Sequence, residues 1–156
     1  MNNSYNTGFP MSDMRKAYWI KITDGILENS SRMQYYYEYE LSKFNLDKFK
    51  IAWNKVVNRH DMLRIVALDD GKQQILDPLE NDLFIYTYLQ ELEQTKKQEI
   101  YDAIQDKLLH RKFNCSELPQ LDFHSLHDTA ATKFILNLNM WAIDAPSVNT
   151  IPLVFS

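Results

Sequence analysis

Near its C-terminal end the chain runs Leu136-Asn137-Leu138-Asn139-Met140-Trp141-Ala142-Ile143-Asp144-Ala145-Pro146-Ser147, an apolar strand that delivers Asp144 into a turn. A carboxylate at the end of a buried strand is costly unless it is paired, so Asp144 needs a cation or several hydrogen bonds. Arg64, closing the run Arg59-His60-Asp61-Met62-Leu63-Arg64, is the candidate partner because a guanidinium can meet a carboxylate bidentately. The competing reading has Asp144 capping a following helix. His124 and His127, with Asp122 and Asp128 close by, are metal-ligand types. Residues three apart on a strand face opposite sides, however, which favours one strand residue and one turn residue, and no metal is expected. Cys115 with His110 has the types of a nucleophile and its base but no third group to orient them, so a structural thiol is expected. Tyr35, Tyr36, Tyr37 and Tyr39 could stack on a ring-bearing ligand, but aromatics alternating along a strand are ordinarily packing residues. A chain with 3 glycines and no Gly-rich loop has none of the common phosphate-binding motifs, which excludes kinase, NTPase and Rossmann readings.

The elements that must position these residues follow from periodicity. Phe9-Pro10 leads to a helix with Ser12 as its N-cap and Met14, Ala17, Tyr18 and Lys21 on one face. Gln34 to Leu41 reads as an aromatic strand. Asn45 caps a second helix whose stripe is Leu46, Phe49, Trp53, Val56, Val57 and His60. Met62 to Leu68 and Lys72 to Leu76 form a hairpin around Asp69-Asp70-Gly71, and Leu83 to Tyr88 is a further strand. Thr95 and Gln98 have capping-box spacing for a helix carrying Ile100, Ile104 and Leu108 and ending near Arg111. Leu121 to Leu126 and Thr132 to Ala142 are two last strands, the second more apolar and therefore central. The class is α+β, with helices packed on one face of a mostly antiparallel or mixed sheet.

The composition agrees with one folded unit. The chain has 156 residues, 45% of them apolar and 13% aromatic, which is too hydrophobic for disorder. Basic residues are scattered and the net charge is -4, so nucleic acid is not an expected partner. No run has the length of a membrane span and no secretion signal opens the chain. A single cysteine points to a reducing, cytoplasmic setting. Residues 1–8 are expected to be a flexible segment and 9–156 one lobe. The apolar run Ile151-Pro152-Leu153-Val154-Phe155 is expected to be covered by further polypeptide or by a partner subunit.

At these residues the sequence resembles the condensation superfamily of nonribosomal peptide synthetases, and within it the heterocyclisation domains. Phe9-Pro10-Met11-Ser12, with Ala17-Tyr18-Trp19, is similar to the opening FPLTxxQxAYW. Trp53-Asn54, the Arg59 to Arg64 segment, Asp69 to Leu76 and Pro119 to Asp122 extend the likeness over nearly the whole chain. Ordinary condensation domains carry HHxxxDG here and heterocyclisation domains DxxxxDxxS. In that register Asn139 replaces the first Asp, while Asp144 and Ser147 match. Met140 stands at the ordinary second histidine and can neither take nor give a proton, which favours the heterocyclisation branch. Asn139 keeps an acceptor and a similar shape without the charge. It suffices if the first carboxylate only holds strand ends together, and fails if that carboxylate balances a cation.

The resemblance implies the first of two chloramphenicol acetyltransferase-like lobes, with the second lobe absent from the chain. The complete domain would join an acyl group to carrier-bound Cys, Ser or Thr and cyclodehydrate the product to a thiazoline or oxazoline, as in siderophore assembly. Its substrates would ride on phosphopantetheine arms of peptidyl or acyl carrier proteins, with no cofactor bound by the lobe itself and no activity expected from the lobe alone. Asn139, Asp144, Ser147 and Arg64 would then support the tunnel, and no residue of this lobe is assigned a catalytic role. The alternative is a noncatalytic, degenerate lobe serving as an interaction module for a second chain or a carrier protein. A homodimer burying the apolar terminus is a third reading.

Overall fold

The computed structural model describes residues 8–25, 33–42, 45–77 and 84–143. In chain order the elements are β1 (Phe9–Pro10), α1 (Asp13–Thr23), β2 (Gln34–Leu41), α2 (Leu46–Arg59), a 3-10 turn (Asp61–Arg64), β3 (Ile65–Ala67), β4 (Lys72–Ile75), β5 (Ile85–Tyr88), α3 (Gln94–Leu109), β6 (Leu121–His127) and β7 (Thr132–Asn139). They form a three-stranded sheet, β1-β4-β3, and a four-stranded sheet, β2-β7-β6-β5. Every pairing is antiparallel except β5 with β6. The class is α+β, with one antiparallel and one mixed sheet, as the periodicity suggests.

Local chemistry explains the boundaries. Ser12 Oγ accepts the Arg15 N–H and Asn45 Oδ1 accepts the Lys48 N–H, so both expected caps start their helices. The expected capping box at Thr95 does not form. Helix α3 already begins at Gln94 behind Glu93, which makes no side-chain cap, and Gln98 bonds Asp102 one turn on instead. This helix ends at Leu109, two residues before Arg111. The hairpin turns where Gly71 takes a positive φ of 77°, but Met62 to Arg64 are wound into the 3-10 turn and not extended. Strand β7 stops at Asn139, three residues short of Ala142, because the Ala142 N–H turns back to the Asn139 carbonyl. In α1 the packed side is Tyr18, Trp19 and Ile22, while Met14, Ala17 and Lys21 face solvent. His60 leaves the α2 stripe because the helix ends at Arg59, and it is exposed.

Helices cover both faces of the four-stranded sheet, which corrects the expectation of one. On one face Phe49, Trp53 and Val57 of α2 pack with Phe123, Phe134, Leu136 and Leu138, and Tyr35, Tyr37 and Tyr39 flank them as a stacked ladder. On the other, Leu108, Ile100 and Ile104 of α3 cover Leu126 and Ile135. The reason lies in β7, a central strand buried on both its faces, with Phe134, Leu136 and Leu138 on one and Ile135 on the other to be removed from water. A polar latch secures α3: the Glu38 carboxylate accepts from Tyr36 at 2.6 Å, Tyr101 at 2.8 Å and Gln105 at 3.1 Å. Burial works against ionisation of Glu38, yet these three donors hold its carboxyl below the usual range. Among the described residues no helix is long and apolar enough to cross a membrane.

Trp53 is fully buried, with its ring centroid 4.8 Å from that of Phe123 and 6.3 Å from that of Phe49. Trp53→Ala is expected to cost about 3–5 kcal/mol and to lower Tm by about 10 °C or more in a thermal melt. A shift of only about 2 °C would contradict this core assignment.

Candidate functional site

The candidate site is assembled where β7 ends. Asn139 is 2% exposed and its amide has a fixed orientation. Its Nδ2 donates to Gln120 Oε1 at 2.6 Å and to Cys115 Sγ at 3.8 Å, while its Oδ1 accepts the Trp141 N–H at 3.1 Å. Gln120 is itself locked, because its Nε2 donates to the Asn114 and Glu117 carbonyls at 2.9 and 2.6 Å. The Asn139 carbonyl accepts the Ala142 and Ile143 N–H groups at 3.1 and 3.2 Å, and its own N–H goes to Gln120 O at 3.0 Å. One residue therefore ends the strand and starts the turn that follows it.

The opposite side of that turn is held by Arg15 from α1. Its Nε donates to Trp141 O at 3.0 Å and its Nη2 to Ala142 O at 3.1 Å, with the guanidinium 5.9 Å from the Trp141 ring centroid. Its Nη1 donates to Gln73 Oε1 at 3.0 Å, and Gln73 passes the link on to Pro10 O through Nε2. Sequence reasoning missed Arg15 because it placed the packed face of α1 one position off. The available signal was a cation sharing the stripe of Tyr18, Trp19 and Ile22.

Arg64 is 6% exposed in the 3-10 turn. Its described partners are local: the Val57 and Asn58 carbonyls, each at 3.3 Å, the Leu76 carbonyl, and Asp61 Oδ1 at 2.7 Å. Val57 and Asn58 lie in the last turn of α2, where carbonyls lack helical partners and a cation is favoured. Arg64 thus ties the end of α2 to the residue after β4. Its expected partner Asp144, with Ser147, the run 151–155 and residues 1–7 of the segment 1–8 expected to be flexible, lies outside the described residues.

The other candidate constellations are drawn apart. His124 and His127 both belong to β6, so His127 is a strand residue and not the turn residue expected. His127 is engaged by Ser125 Oγ at 2.8 Å and Thr132 Oγ1 at 3.2 Å, and it lies beside Tyr88. Burial holds both imidazoles below their usual range and so in the neutral form. Asp128 pairs with Lys97 at 2.7 Å and Asp122 with Arg111 at 3.0 Å. Among the described residues no group of three His, Cys, Asp or Glu side chains is placed to hold a metal ion. His110 is exposed and faces Asp106, whereas Cys115 is buried, its thiol pushed up to about 11 by burial despite the Asn139 contact. A protonated, enclosed thiol is no nucleophile.

By sequence the chain matches no family model and no curated protein. By structure it is similar to the cyclization-docking bidomain of the EpoB nonribosomal peptide synthetase from Sorangium cellulosum. In one crystal form the identity is 25% with a TM-score of 0.79, covering 88% of this chain and 27% of that one. In another the identity is 23% with a TM-score of 0.81, over 94% and 30%. A variant of the starter condensation domain of the rhizomide synthetase RzmA is similar at 16% identity and a TM-score of 0.77, over 95% and 36%. The chain thus has the condensation-type fold of nonribosomal peptide synthetases, and it spans between 27% and 36% of the length of these structures.

The hydrogen-bond pattern at Asn139 predicts the outcome of restoring an acid there. In Asn139→Asp an acceptor replaces the Nδ2 donor against Gln120 Oε1, so the side chain fits only when protonated. Its folded-state carboxyl is then raised above the unfolded value, so its stability is best below the ordinary range near pH 4 and falls as pH rises. We expect a loss of about 1–3 kcal/mol at neutral pH, with the Tm deficit against the native chain shrinking on acidification. A variant as stable as the native chain at neutral pH would refute this orientation of the amide pair.

Proposed function

We propose that the chain is the N-terminal lobe of a heterocyclisation domain. Completed by a second lobe, it would condense an acyl group with carrier-bound Cys, Ser or Thr and cyclodehydrate the product to a thiazoline or oxazoline. The observation that carries this reading is the register at the end of β7, in which Asn139, Asp144 and Ser147 occupy the heterocyclisation motif and Met140 replaces the histidine that amide-forming relatives use. The 25% identity to a cyclization bidomain, against 16% to a starter condensation domain, supports the same branch.

In this reading Asn139 does the mechanical part of the first motif acid's work. It ties β7 to Gln120 and folds the turn, and it does so with a neutral amide. Arg64 braces α2 against the hairpin, and Asp144 and Ser147 support the tunnel wall. The chain's own contribution is architectural: it would shape one side of the tunnel through which two phosphopantetheine arms of carrier proteins reach each other. Bond-forming groups would come from the second lobe and the substrates.

The test mixes this chain with a separately expressed second lobe and loaded carrier proteins and follows the carrier-bound product by intact mass. Condensation followed by loss of water is expected. Lobes that bind one another yet yield neither step would refute the enzymatic reading and favour the degenerate interaction module. Light scattering on the chain alone separates both from the homodimer.

A further inference from the structure

We infer that Arg15 is a positioning residue, whose guanidinium fixes the turn after β7 and so sets the direction in which the chain leaves that strand toward the rest of the motif stretch. The inference rests on the reading of the 139–147 stretch given above. Its structural part stands on contacts between described residues alone.

Past Met140, whose N–H goes to Met33 O at 3.0 Å, the turn after β7 has two hydrogen-bonding sides, and each is taken by one residue. Its N–H groups, from Trp141, Ala142 and Ile143, all go to Asn139. Its carbonyls at Trp141 and Ala142 go to Arg15, whose planar fork spans the two successive oxygens at 3.0 and 3.1 Å. A turn held only by its N–H groups could still hinge about the end of the strand. Fixing the carbonyls as well removes that freedom, because the peptide planes are then held from both edges.

The other end of the clamp is equally anchored. Nη1 reaches Gln73 Oε1 at 3.0 Å, and Nη2 lies 3.1 Å from Met62 Sδ. Gln73 is buried on β4 and donates from Nε2 to Pro10 O at 3.0 Å, so its own amide cannot rotate to release Arg15 without losing a second bond. Arg15 therefore joins the exit of the four-stranded sheet to β4 and β1 of the three-stranded sheet and to the turn before β3. The shape of the group matters as much as its charge. A guanidinium presents donors in a rigid plane to two oxygens on one side and a third on the other, whereas an ammonium is a single point with no fork. Lysine at this position would keep the charge and lose the geometry.

Amide exchange read residue by residue by NMR in the chain itself, with Arg15→Gln and Arg15→Lys, tests the clamp. The amides of Trp141, Ala142 and Ile143 are expected to exchange about tenfold faster or more in both variants, while Leu136 and Leu138 within β7 keep their native protection. Unchanged exchange at 141–143 would overturn the inference. So would a uniform loss of protection along β7 in Arg15→Lys, the milder variant, since that marks a general packing role. In the two-lobe assay, Arg15→Lys is expected to lower kcat about tenfold with the KM for the carrier-bound substrate unchanged, and a KM effect alone would also overturn it. An assay in which the native lobe makes no product counts against the heterocyclisation reading, and the exchange pattern then decides the clamp by itself.

Discussion

At the end of β7 a buried amide, Asn139, meets a second buried amide, Gln120, and neither can turn around. Gln120 is held by two carbonyls, so the atom it offers Asn139 is an oxygen, and Asn139 must answer with its NH2 group. That assigns the Asn139 oxygen to the Trp141 N–H and fixes the first step of the following turn. A buried polar group left unpaired costs about 1–3 kcal/mol, so each of these choices constrains the next. The loop before β6, the end of β7 and the turn toward Asp144 consequently behave as one hydrogen-bonded unit.

This constraint bears on the proposed reading in which Asn139 stands in place of the motif's first acid. A carboxylate has no donor to give Gln120 and would enter the site as a charge, whereas the amide satisfies both neighbours while staying neutral. The two arginines that sequence and structure single out carry their charges elsewhere. Arg15 spends its fork on backbone carbonyls and Gln73, and Arg64 on the carbonyls at the end of α2 and on Asp61. Both arginines act as braces between elements, Arg15 between the two sheets and Arg64 between α2 and the hairpin. In the proposed reading the chain's share of the chemistry would thus be the placement of a tunnel wall.

Much of the fold was legible because it depends on local chemistry. The stripe of Phe49, Trp53 and Val57, the caps at Ser12 and Asn45, and the turn at Gly71 are each decided by near neighbours, and the apolar character of β7 indicated its central place. What escaped depends on partners distant in sequence. The pairing of Phe9-Pro10 with Lys72 and Gln73 adds a strand too short for any periodicity to reveal. Placing helices on one face overlooked Ile135, which gives β7 a second apolar side for α3. At the site, Asn139 was found through its motif register, but its partner Gln120 and the clamp from Arg15 lie 19 and 126 residues from the atoms they hold. No spacing rule connects them. Arg64 was recognised as a buried fork, and its local carbonyl partners became evident only with the geometry of the α2 terminus.

The most direct test of this account is the side-chain NH2 resonance of Asn139 in a three-dimensional NMR spectrum of the native chain. The account predicts two well-separated proton shifts, slow exchange with water and cross-peaks to the Gln120 side chain. A degenerate, rapidly exchanging NH2 pair without contacts to Gln120 would show that the amide is not locked, and the organisation described for the end of β7 would be contradicted.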